Sequence, residues 1–182
     1  MGKALSFSGH RPNKLGGFSG EKAKIIQDGI FGKCVDVVKR AAAVGFDTFI
    51  TGGALGTDQI AAEAVIYVRK QSGYEHIRLI VAMPFPSQAS AWPKHAQENF
   101  KRICEQADEV GIISEDPYTR EKMQIRNVWM IDRSAACCAV WNGGNGGTGN
   151  CTAYAKSKYK PILVVNPYTL VEKWELPGKV RW

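Results

Sequence analysis

Six short apolar runs punctuate the chain, and helical periodicity fills the gaps between them. The runs are "KALSFS" (3–8), "FDTFIT" (46–51), "HIRLIVAM" (76–83), "DEVGIIS" (108–114), "ACCAVWN" (136–142) and "PILVVN" (161–166). Between the first two, Ile26, Ile30, Cys34, Val37 and Ala41 recur at three- and four-residue spacing, which is one face of a helix. Ile60, Ala61, Ala64, Val65 and Val68 repeat the pattern after the second run. The stretches 93–106, 120–133 and 148–159 are weaker helix candidates. Strands that alternate with helices this regularly predict one Rossmann-like α/β domain over 1–182, with a mostly parallel sheet of about six strands and helices on both faces. The turn-rich tail, 167–182, reads as a flap carrying Trp174 and Trp182.

The bulk numbers agree with that frame. A chain of 182 residues, 45% hydrophobic and 23% charged, has the composition of one soluble domain. No run approaches the length of a membrane span, so no membrane partner is expected. The N-terminus enters a strand-like pattern at once, without a signal-peptide core, which makes a cytoplasmic location the default. Five cysteines form no C-x-x-C pair and show no metal-ligand spacing with the three histidines. Neither a metal nor a cofactor is implied. The formal charge of +7 favours anionic partners. The charges are spread rather than blocked, so nucleic acid is the less favoured of these.

In a parallel sheet, ligands bind outside the carboxyl ends of the strands, so the loops that follow the strands hold the candidate site. After the first run, "SGHRP" supplies Gly9 for a tight exit and His10 and Arg11 as donors. The alternative is a turn with two solvated basic residues. After the second run, "TGGALGTDQIAAE" brings Gly52, Gly53 and Gly56 into a loop that feeds a helix, with Thr57 or Asp58 as its cap. The loop lacks the Gly-Lys-Ser/Thr ending of a Walker A motif. After the third run, "MPFPSQASAWP" offers Phe85, Gln88 and Trp92 as an aromatic wall with one amide, suited to a nucleobase, or as a hydrophobic corner. After the fifth run, "NGGNGGTGN" (142–150) concentrates Asn142, Gly143, Gly144, Gly146, Gly147 and Thr148 ahead of a helix. Glycines there let backbone N–H groups approach a phosphate at the positive end of a helix. A pocket between 52–58 and 143–150 is the resulting expectation.

"SFSGHRP", "TGGALGTDQIAAE", "MPFPSQASAWP", "RNVWMIDRSA" and "VWNGGNGGTGNCTAYA" together resemble the YpsA-like branch of the SLOG superfamily. Its relatives include the cytokinin-activating LOG enzymes and the DNA-processing protein A. The resemblance runs from about Ala4 to about Pro167. It implies a Rossmann-like fold and a nucleotide or nucleotide-derived ligand, with a role as sensor, carrier or sequestering protein, including in bacterial and phage conflict systems. It also implies site roles for Gly9, His10 and Arg11, for Gly52, Gly53, Gly56 and Asp58, for Gly143, Gly144, Gly146, Gly147 and Thr148, and for Arg126 and Asn127. Homo-oligomers are common in the family, and Trp129, Trp174 and Trp182 are candidate contacts.

One departure separates this chain from the LOG enzymes. They carry a Glu shortly after the late glycine-threonine turn, where it serves N-glycosidic cleavage. Here the turn continues Gly147-Thr148-Gly149-Asn150-Cys151-Thr152, without a carboxylate. Such cleavage builds positive charge on the sugar and needs a carboxylate nearby. Asp58 and Glu63 remain the catalytic candidates of the alternative reading, a nucleotide N-glycosidase. Single-stranded DNA binding is a further alternative.

Overall fold

A computed structural model describes residues 2–175. Strands and helices alternate as the apolar runs predict. The strands are β1 (Lys3–Gly9), β2 (Phe46–Thr51), β3 (Arg78–Met83), β4 (Glu109–Ile112), β5 (Ala136–Val140), β6 (Ile162–Val165) and β7 (Glu172–Glu175). The helices are α1 (Glu21–Ala43), α2 (Thr57–Arg69), α3 (Lys94–Gln106), α4 (Arg120–Asp132) and α5 (Gly147–Ser157). The sheet order is β4-β3-β2-β1-β5-β6-β7. Strands β1 to β6 pair in parallel, and β7 runs antiparallel to β6. The sheet therefore has seven strands rather than about six. The extra one comes from the turn-rich tail, where Trp174 faces Leu163 across the ladder. Residues 176–182, including Trp182, lie outside the described residues.

The period-2 alternation of β1 and β5 assigns the two faces. Leu5 and Phe7 of β1, with Ala136, Cys138 and Val140 of β5, point into the larger core against α1, α2 and α3. Cys137 and Ala139 point the other way, toward Cys151 and Ala155 of α5 and Ile131 of α4. Helix α1 buries Ile30, Cys34, Val37 and Ala41, four of the five residues that its spacing singled out. Helix α2 lies between α1 and α3 and is apolar nearly all round, with Ala61, Ala62, Ala64, Val65, Ile66 and Val68 buried. Each large aliphatic or aromatic side chain buried this way contributes about 1.5–3 kcal/mol.

The strand order positions the site. From β1 the chain winds outward through β2 and β3 to β4, then crosses back to start β5 on the other side of β1. The loops leaving β1 and β5 consequently diverge to opposite faces and leave a crevice between them.

Candidate anion-binding cleft

A cleft of about 270 Å³ occupies that crevice. The β1 loop forms one wall through Gly9, His10, Arg11, Asn13 and Lys14. The turn after β5 forms the other through Gly144, Asn145, Gly146, Gly147, Thr148 and Gly149. Asp58, Arg126 and Asn127 close it from below.

The late turn is built for approach by backbone. Gly143 and Gly146 take φ values of 90° and 139°, which strongly favour glycine. Gly146 caps α5 without any side-chain cap. The first helical bond of α5 runs from the Asn150 N–H to the Gly146 carbonyl. The N–H groups of Gly147, Thr148 and Gly149 precede it and have no acceptor among the described residues. A Cβ placed on Gly143, Gly146 or Gly147 would meet nothing within 4 Å. All three donors stand at the positive end of the helix dipole; beside Gly147 the space is open, whereas a Cβ on Gly149 would meet the Gly144 carbonyl oxygen at 3.3 Å.

The early turn is built differently. A Cβ on Gly52 would lie 1.1 Å from Arg126 Nη1, so glycine is what lets the guanidinium in. Arg126 pairs with Asp58 Oδ2 at 3.2 Å and donates from Nε to Asn127 Oδ1 at 3.2 Å. Both members of the ion pair are buried, at 5% and 6% exposure. Asp58 also accepts from the Ala54 N–H at 3.4 Å. The residue capping α2 is Gly56, with no side-chain cap, so the expected capping by Thr57 or Asp58 is replaced by other work. Thr57 fills the space beside Gly9, and its hydroxyl and N–H both donate to the His10 carbonyl at 3.1 Å.

His10 joins the two turns. Its Nε2 lies 2.8 Å from Asn142 Oδ1, which also accepts from the Gly144 N–H at 3.1 Å. That second donor fixes Oδ1 as the oxygen, so Nε2 carries the proton. The Asn142 N–H approaches the same nitrogen at 3.3 Å, and one ring nitrogen cannot serve both contacts. The shorter contact prevails. Burial lowers the His10 pKa, the Asn142 bond opposes this, and the nearby Lys14 charge adds to the lowering.

Among the residues singled out from sequence, Gly9, His10, Arg11, Asp58, Arg126, Asn127, Gly144, Gly146, Gly147 and Thr148 line the cleft. Gly52, Gly56, Thr57 and Asn142 contact cleft residues from behind, Gly53 packs against Phe100 and Val81 instead, and Gly143 stands in the late turn with open space beside it. Phe85 and Trp92 do not reach it: they pack edge-on against Tyr118 and Phe100 at 5.9 and 5.4 Å. Gln88 is buried and donates to the Gly52 carbonyl at 3.2 Å. Glu63 pairs with Arg102 on the far side of α2. The 52–58 segment thus gives the cleft only Asp58, and the β1 loop takes the place expected for it. Lys14 is the functional candidate missed in the sequence. Its Nζ donates to the Asn145 carbonyl at 3.2 Å, across the mouth of the cleft. The signal was present in "HRPNK", where Pro12 opens a short 3-10 turn that carries Lys14 back over the sheet edge.

Residues 5–170 match the YspA SLOG family. The chain belongs to that family. The matched span takes in both glycine turns and every residue that lines the cleft. The SPbeta prophage-derived protein YoqJ of Bacillus subtilis is 42% identical over 122 residues, covering 61% of this chain and 70% of YoqJ. A UPF0398 protein of Bacillus thuringiensis is 27% identical over 175 residues, 93% of this chain and 90% of that one. Among solved structures, DNA processing protein A from Helicobacter pylori superimposes with a TM-score of 0.60 at 16% identity. That match covers 90% of this chain and 65% of the Helicobacter protein, so the chain spans under two thirds of it. At this identity the likeness is one of fold. No helix among the described residues is long and apolar enough to cross a membrane.

Proposed function

We propose that this family member binds a phosphorylated nucleotide or nucleotide-derived molecule, phosphate inward, in the cleft between the β1 loop and the late turn. The observation that carries this reading is the late turn itself: the N–H groups of Gly147, Thr148 and Gly149 at the start of α5 have no acceptor among the described residues, and the space beside Gly147 is open. Arg11 and Lys14 face them from the opposite wall, and Arg126 lies below. A phosphate would take backbone donors from one side and charge-assisted donors from the other. Arg11 is exposed as a residue, but its guanidinium is partly desolvated: burial lowers its pKa, and the nearby Asp58 charge opposes this. It forms no ion pair among the described residues and can pair bidentately.

Binding without turnover fits the carboxylates. Asp58 is the one acidic residue lining the cleft among the described residues, and Arg126 and the Ala54 N–H already engage it. Glu63 lies outside. A carrier, sensor or sequestering protein follows, and the cysteine-containing turn supplies no acid for glycoside cleavage. The test is isothermal calorimetry with ribose 5-phosphate and nucleoside monophosphates, paired with chromatography for released base. Affinity that depends on Arg11, without release of base, supports the reading. Sustained turnover that disappears in Asp58→Asn would replace it with the glycosidase.

A second reading has one specific support. The Helicobacter structure that shares this fold describes a single-stranded DNA binding mode, and this chain carries a formal charge of +7. Affinity for oligonucleotides that climbs with length and falls steeply with salt would favour it.

A further inference from the structure

The two outer strands of the sheet are unlike. Strand β7 reads Glu-Lys-Trp-Glu, and its Glu172 and Glu175 pair with Arg40 and Lys156. Charge on an outer strand resists pairing with another chain. Strand β4 reads Glu-Val-Gly-Ile, without lysine or proline, and leaves Val110 40% and Ile112 57% exposed. Val110 lines a shallow hollow of about 470 Å³ with Met83, Phe100 and Cys104, between β4 and α3. Ile112, two residues on, points to the same face.

The ladder decides which backbone groups of β4 are free. The Ile113 N–H donates to the Met83 carbonyl at 2.9 Å, and the register sets Met83 beside Ile112. In a parallel pair with that register, Gly111 and Ile113 bond to β3. The N–H and C=O groups of Val110 and Ile112 then point outward, where no strand among the described residues meets them. A second copy of β4 fits those groups antiparallel, about a two-fold axis normal to the sheet. Residues directly opposite must face the same side, so the axis passes through a residue and not between two. Centred on Gly111, it sets Val110 of each copy against Ile112 of the other, donors to acceptors. Gly111 meets itself and has no side chain to clash.

The neighbouring helix carries the matching charge pattern. Lys94, Glu98, Lys101 and Glu105 form one exposed stripe on α3, paired along the helix as Lys94–Glu98 and Lys101–Glu105. Lys94, Glu98 and Lys101 line the hollow, so the stripe faces the β4 side. Turned by the two-fold, Lys94 meets Glu105 of the second copy and Glu98 meets Lys101, so opposite charges face each other at every place. The heights agree as well. Only Ala107 and Asp108 join α3 to β4. The centre of the stripe lies about 10 Å back along the helix, and Gly111 lies about 13 Å along the strand.

We propose that β4 and α3 form a self-complementary face that joins two copies of this chain. The dimer is isologous, with one sheet running through both copies and α3 beside α3. Val110 and Ile112 of each copy cover the other's hollow. The face lies three strands from β1, so the inference does not depend on what the cleft binds.

Sedimentation velocity on the purified chain tests it, with wild type, Ile112→Lys, Glu98→Lys and the double substitution Glu98→Lys/Lys101→Glu. All three positions are exposed, and circular dichroism checks that each variant keeps the native fold. Wild type is expected to be a dimer. Ile112→Lys should raise the dimer dissociation constant about tenfold or more. Glu98→Lys sets lysine against lysine twice across the axis and should raise it about fivefold, and the double substitution should restore it. A wild type that stays monomeric at high micromolar concentration overturns the proposal. A dimer indifferent to Ile112→Lys uses another face and overturns it too. Dissociation by Ile112→Lys without the loss and rescue in the charge pair overturns the axis at Gly111. If Ile112→Lys loses the native spectrum, the charge swap alone decides.

Discussion

The two glycine turns look alike in sequence and do opposite jobs. "TGGALGTD" and "NGGNGGTGN" each follow a strand and each open a helix. In the early turn every glycine is pressed by the protein itself. Arg126 occupies the side-chain space of Gly52, Phe100 that of Gly53, and the His10 carbonyl that of Gly56. In the late turn the corresponding spaces beside Gly143, Gly146 and Gly147 are open. Glycine removes a side chain in both cases. In the first, the room is taken by a buried ion pair and a core ring; in the second, it is open. A glycine-rich strand-to-helix turn therefore does not by itself mark a phosphate site.

The sharpest way to break that comparison is to put a methyl group in each turn. Gly52→Ala drives a carbon into the Arg126 guanidinium and pries it from Asp58. Separating a buried pair costs about 3–5 kcal/mol. A large drop in the urea midpoint is expected, and an unchanged midpoint would show that the early turn is not packed as described. Gly147→Val is the mirror test. Its Cβ meets no protein atom, and the position is the first turn of α5, so stability should stay within about 0.5 kcal/mol. The branched side chain would still stand where a phosphate must approach the N–H groups, and about 3 kcal/mol of binding should disappear. If thermal stability falls in step with binding, the late turn is structural too, and the contrast collapses.

Arg11→Ala sharpens the comparison without touching either turn. Arg11 is exposed and forms no ion pair among the described residues, so its loss should leave the fold intact. A weakening of about 1.5–3 kcal/mol for a phosphorylated ligand is expected, the scale of a charge-assisted bond. Calorimetry showing unchanged affinity would remove Arg11 from the site.

Much of this architecture is legible in the residues alone. Strand runs, helix spacing and the rule that ligands sit at the carboxyl edge lead to six of the seven strands and to the loops after β1 and β5. The tail strand β7 is hidden because "EKWE" is short and charged, and only pairing with β6 makes it a strand. The packing of the early turn stays hidden for a different reason. Sequence shows that Gly52 lacks a side chain, but not that Arg126, far along the chain, fills the gap. Phe85 and Trp92 show the same limit: their aromatic content suggests a wall, and long-range packing turns both toward other rings. Lys14 escapes notice because a lone lysine after a proline has no local signature until the 3-10 turn aims it at Asn145.

His10 ties the two turns together, and its titration gives the smallest and most specific test. Its carbonyl accepts from Thr57 at the early turn, and its ring donates to Asn142 at the late one. Burial lowers its pKa below the ordinary 6.5, with Asn142 opposing and Lys14 assisting. Above 6.5 the ring is neutral in both folded and unfolded chains, and it contributes no pH dependence. As pH falls through 6.5, the unfolded chain takes up a proton that the folded one refuses, so stability declines. The decline ends once the pH passes the lowered folded value, because both states are then protonated. His10→Gln keeps an amide donor for Asn142 and does not titrate. The difference in urea midpoint between wild type and His10→Gln should therefore widen against wild type on going from about pH 7.5 to about pH 5.5. One proton is involved and two influences oppose each other, so the effect should be smaller than any of the three substitutions above. Parallel pH profiles for the two proteins would mean that the ring titrates alike folded and unfolded, and that His10 is not the buried, neutral bridge between the packed turn and the open one.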